Sequence, residues 1–265
     1  MPAHHHHWDL KDPPGPEPAG PVRIADARFL GSRTSSLPRR LALAAIGIAC
    51  TLAALHGLLA LSHVRNLVPA AISAWFDMRY DYSVPSWFGF LCLLAAGVAC
   101  FGWGRAVRSA SITLTGIFFV LLTIDDLFML HERLGEILWA SMASTGVYPW
   151  VAVLGLPFAV AGVAAWRACW RHLANDHPVR VRLLTGFACL GVALFLEAME
   201  VQATNSGIRW RGHSLVVYSQ WVEEFLELIG PLFVAWSASE AWLRAVRVAS
   251  RPDTTSRPRI QREST

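Results

Sequence analysis

Asp125, Asp126, Glu197, Glu200, Glu223 and Glu227 lie inside or at the ends of long apolar runs, with Glu132 and Glu224 beside them. A charged side chain costs roughly 2.5–3.5 kcal/mol at mid-membrane on insertion scales, so this concentration of acids needs a cause. Carboxylate oxygens and imidazole nitrogens delivered from different helices are ligand types for iron, manganese and zinc. Helical spacing pairs the acids: at about 100° per residue, Asp125 and Glu132 (i, i+7) share a face and Glu197 and Glu200 (i, i+3) are neighbours. Glu223 and Glu224 each neighbour Glu227, and three acids so close on one helix repel unless water, protons, cations or arginines offset them. His56 and His63 repeat the i, i+7 relation. On one ideal helix Asp126 and His131 point away from the Asp125–Glu132 face by roughly a third of a turn or more. A kink, or a helix ending before His131, would lift that restriction.

The pattern therefore predicts a divalent-metal site built from Asp125, Glu132, Glu197, Glu200, Glu223 and Glu227, with Asp126, His131, His56 and Glu224 in the second rank. Fe, Mn or Zn is the expected ion, serving a membrane-embedded enzyme that acts on a lipid or quinone. There, a carboxylate off the metal would be the general base. Two other classes compete. Intramembrane acids and histidines also build proton relays in ion-coupled transporters. Acids at helix ends can instead snorkel to water or pair with Arg133, Arg209 and Arg211, as in a structural or accessory subunit. Carboxylate-bridged di-metal bundles use Glu-x-x-His on two helices. This chain has Glu197-x-x-Glu200 and Glu224-x-x-Glu227 but no Glu-x-x-His, which argues against that type of oxidase. His63 and His213 read as interfacial residues, and His172 and His177 fall on the opposite side.

Apolar stretches that could carry these groups recur from Leu41 onward, at about 41–62, 86–104, 110–131, 148–168, 181–201 and 215–243. Each is near or above the ~20 residues that cross ~30 Å of hydrocarbon, and only helices or closed barrels satisfy their own backbone there. None alternates as barrel strands do. The expectation is an all-α, polytopic transmembrane helix bundle of six spans. Only Arg105 to Ser109 separate the second and third runs, so these form a tight hairpin. The last run is too long for a perpendicular span, and Gly230-Pro231 is a place for a kink. Pro231 also removes the N–H that the Glu227 carbonyl would otherwise meet.

Orientation follows from arginine. Arg33, Arg39, Arg40, Arg105, Arg108, Arg167, Arg171, Arg180 and Arg182 gather on one side, together with the arginines from Arg244 onward. Arg65, Arg79, Arg133, Arg209 and Arg211 fall on the other. The positive-inside rule then puts both termini in the cytoplasm, as an even number of spans requires, and places the acids near the outer face. The expected location is the bacterial cytoplasmic (inner) membrane, with the bilayer itself as the first partner. Residues 1–38 are read as a disordered cytoplasmic tail, 39–246 as the six-helix domain and 247–265 as a disordered basic tail. The stretch from Lys11 to Pro21 is too rich in Pro and Gly to fold, and His4 to His7 carry little weight.

Composition agrees. The chain is 54% hydrophobic and 16% charged, well under the roughly 25% charged residues of soluble domains. Its basic residues sit in loops and tails, without the aromatic-interleaved stripe of a nucleic-acid surface, so no nucleic acid is expected. The five cysteines lie in or beside apolar runs with no CxxC pair, and read as packing residues. No G-x-S-x-G elbow, Walker loop or Rossmann fingerprint occurs.

The run Thr123-Ile124-Asp125-Asp126-Leu127-Phe128-Met129-Leu130-His131-Glu132 resembles the D-[DE]-x-x-x-x-H-E segment of multispanning bacterial membrane proteins with no established activity. The resemblance covers about ten residues and implies that Asp125, Asp126, His131 and Glu132 act as a unit. It implies no chemistry.

Overall fold

The computed structural model describes residues 36–64, 68–78, 82–142, 151–173, 176–206, 209–210 and 213–250. The expected tails, apart from their helical edges, and His4 to His7 lie outside these residues. The chain folds as α1 (Ser36–Val64), α2 (Ala70–Trp75), α3 (Val84–Ala106), α4 (Ala110–Phe128) and α5 (Leu130–Met142). A π-helical turn (Val151–Gly155) leads into α6 (Leu156–His172), followed by α7 (His177–Ser206) and α8 (Leu215–Ala249). Between α7 and α8, Arg209–Trp210 pairs with His213–Ser214 in a two-residue antiparallel ladder. The protein is an all-α bundle.

Among the described residues, five segments are long and apolar enough to cross a membrane: Ser36–Leu59, Val84–Ala106, Ala110–Phe128, Val153–His172 and His177–Met199. α8 is longer than any of them but interrupts its apolar run with Glu223, Glu224, Glu227 and Glu240. It occupies the middle of the bundle, packed against α7, α3 and α1. Large side chains such as Leu91, Leu156, Val160 and Phe195 stay exposed on the outer surface. That outward apolar face is what a bundle solvated by lipid requires.

Helix ends follow local chemistry. Ser83 caps α3 by accepting from the Ser86 N–H at 3.4 Å, with Pro85 in the first turn where its missing N–H costs nothing. The expected tight hairpin joins α3 to α4: Arg108 takes φ 52° and the Ser109 N–H donates to the Gly104 carbonyl at 2.8 Å. Glycines let the two helices touch. A Cβ on Gly116 would lie 2.5 Å from the Phe101 nitrogen and 2.8 Å from the Gly97 oxygen.

The same device joins α7 to α8. A Cβ on Gly186 would lie 2.7 Å from the Gly230 carbonyl oxygen, and one on Gly230 would lie 3.0 Å from the Gly186 oxygen. Close backbone approach through small residues is the usual interface between helices in lipid. α8 runs through Pro231 as one helix. On one side of this crossing Arg182 and Arg244 both bind Glu240, the latter at 2.8 Å, and Arg244 also binds Asp176. Arg182 stacks over Trp236 and Arg180 over Trp170.

Two of the boundaries that differ from expectation have a local cause. The third span ends at Phe128, short of the expected 131, because Met129 adopts the left-handed conformation (φ 52°, ψ 42°) that stops a helix. The first helix already includes Ser36, inside the expected tail, and Pro38 is tolerated near a helix N-terminus.

Candidate metal centre

The break at Met129 brings together residues that one straight helix would hold apart. Past it, the chain re-enters a helix at Leu130, and His131 folds back onto the last turn of α4. The His131 backbone N–H donates to Asp125 Oδ1 at 3.1 Å, and His131 Nδ1 meets Asp125 Oδ2 at 2.8 Å. A proton on Nδ1 in that bond puts the Nε2 lone pair on the opposite edge of the ring, the arrangement by which a carboxylate orients a ligating imidazole. The condition stated from sequence, a helix ending before His131, is the one the fold adopts.

α7 and α8 supply the central group. One carboxylate oxygen from each of Glu197, Glu223 and Glu227 lies within 4.8 Å of the others. Glu223 is buried and its two partners are half-buried. Glu223 and Glu227 are one turn apart on α8, and α7 reaches them because the Gly186–Gly230 crossing draws the helices together.

Asp125, Asp126, His131, Glu197, Glu223, Glu224 and Glu227 all line one cavity of about 530 Å³. Most of the candidates named from sequence are thus gathered in one place. Glu132 and Glu200 sit on α5 and α7, but their side chains lie outside the described residues, as do those of His63 and His213.

His56 is placed elsewhere. It is buried on α1, where Nδ1 accepts the Met78 N–H at 3.3 Å and lies 3.5 Å from Asp77 Oδ1. Asp77 carries no sequence signal toward His56: it follows a six-residue helix and stands in no helical register with α1. The cavity's apolar wall was equally hidden, since its residues look like any other lipid-compatible positions.

An all-oxygen trio suits hard divalent ions, and a ligand set that also took in the His131 imidazole from the same cavity would extend to iron and zinc. Residues 40–243 match the family described as "Domain of unknown function (DUF8692)". No curated protein and no solved structure matches the chain.

Proposed function

The chain belongs to that family, whose description carries no chemistry, so we propose its function from the site alone: a membrane-embedded protein that holds a divalent metal on Glu197, Glu223 and Glu227. The convergence of three carboxylates within 4.8 Å carries this reading. At an effective dielectric constant near 20, each ionised pair at that distance repels by about 3–4 kcal/mol. A bundle stable by about 5–15 kcal/mol holds such a trio most simply around a cation. Manganese is the first expectation for oxygen ligands, with iron next where His131 joins, oriented by Asp125. α8 is the sixth span, both termini are cytoplasmic, and the site faces outward in the inner membrane.

Elemental analysis of detergent-purified protein tests the reading. Near-stoichiometric Mn or Fe, lost in Glu223→Gln/Glu227→Gln, supports it. A second reading is ion coupling, favoured by the Asp125–His131 couple lining the cavity. Metal-free protein with pH-dependent flux in liposomes would replace the first reading by the second.

A further inference from the structure

The cavity continues well beyond its acids. Along α7 it reaches from Glu197 to Leu184, about 20 Å at about 1.5 Å per residue. One leaflet's share of the hydrocarbon is about 15 Å, half of a ~30 Å core. The long wall is apolar: Leu93, Phe118, Leu122, Phe158, Val163 and Phe187 contribute to it. Its volume of about 530 Å³ falls within the roughly 300–1,000 Å³ of small-molecule sites.

The cavity also reaches the bundle surface. Val163 on α6 and Leu184 on α7 line it while remaining 53% and 44% exposed. Gly162 and Gly191 line it on the same two helices, and a Cβ at either would meet nothing within 4 Å. Unlike Gly116, Gly186 and Gly230, these glycines do not serve a close helix contact. They leave space. α6 leans mainly on α4 and only lightly on α7, so the α6–α7 seam is a thin part of the wall.

Charge selects the head group. Among the described residues no lysine or arginine lines the cavity, whereas Asp125, Asp126, Glu197, Glu223, Glu224 and Glu227 all do. Even with one divalent ion bound, an anionic head would meet net repulsion there. We propose that the cavity receives the single hydrocarbon chain of a membrane lipid whose head carries no negative charge, admitted sideways from the bilayer between α6 and α7. The proposal deepens the metal reading by naming the substrate class of its site, but lodging the chain does not require the ion.

A photoreactive octadecylamine, with a diazirine near its chain end, tests this on full-length protein in nanodiscs. Expected is labelling mapped to the α6 and α7 wall, competed by octadecylamine and octadecanol, and reduced about tenfold in Gly162→Leu/Gly191→Leu. Gly47→Leu, also unobstructed but outside the cavity, should label like the native chain. Unchanged labelling in the double variant, or equal competition by octadecyl phosphate, overturns the proposal. Labelling that persists in native protein found to contain no metal supports it while refuting the metal reading.

Discussion

Glu223→Gln should raise stability without metal and lose most of the stabilisation that metal gives the native chain. The substitution keeps shape and removes one of three charges, deleting two of the three repulsions among oxygens within 4.8 Å. Those two nominally total about 7 kcal/mol at an effective dielectric constant near 20. Even a quarter of that makes the metal-free variant about 2 kcal/mol more stable than the metal-free native protein. With metal at about a hundred times its dissociation constant, the native chain gains about 2.7 kcal/mol. A ligand lost at a cost of about 100-fold in affinity leaves the variant only about 0.4 kcal/mol from the same metal. Melting in detergent, with chelator and with added Mn, reads both effects, at roughly 2–4 °C per kcal/mol for a domain of this size. The native protein should rise by roughly 5–10 °C on metal addition and the variant by about 1 °C. A native melting point indifferent to metal, together with a variant less stable in chelator, would refute the reasoning.

Other outcomes follow from the same contacts. Asp125→Asn weakens two bonds that tie α5 back onto α4, and should cost about 1.5–3 kcal/mol in unfolding measurements. Met129→Gly relieves a left-handed residue and should gain about 1 kcal/mol by the same measurement, whereas Met129→Val should lose stability. Gly116→Ala drives a methyl group into the α3 backbone, and should lower the melting point and the yield of folded protein, with a loss of about 1–3 kcal/mol. Reporter fusions at Gly212 should read exterior and those at Arg108 and the C-terminus cytoplasmic; a cytosolic Gly212 would remove the six-span reading.

The spans were legible because lipid imposes one long apolar run per helix, and α3, α4 and α7 lie close to where hydropathy puts them. Acid spacing was legible as well: the Glu223–Glu227 pair is a helical neighbour relation before any fold is known. The break at Met129 was not, because neither Met129 nor Leu130 is a turn-forming residue and only the tertiary setting holds the left-handed conformation. Glu197 was named from sequence, but how near it comes to Glu223 and Glu227 was hidden. It depends on how closely α7 approaches α8, which Gly186 and Gly230 set by contact rather than by sequence separation. His56 shows the converse, since its i, i+7 partner told nothing of Asp77.

The Gly186–Gly230 crossing also acts as a fulcrum. Glu197 stands eleven residues beyond Gly186 along α7, an arm of about 16 Å at about 1.5 Å per residue. The Arg182–Glu240 pair sits on the other side, with Arg182 on an arm only four residues long. A pivot of about 4° would swing the Glu197 backbone by about 1 Å, enough to change the spacing of its oxygens from those of Glu223 and Glu227. The ionic clasp and Glu197 therefore stand on opposite arms of a single crossing.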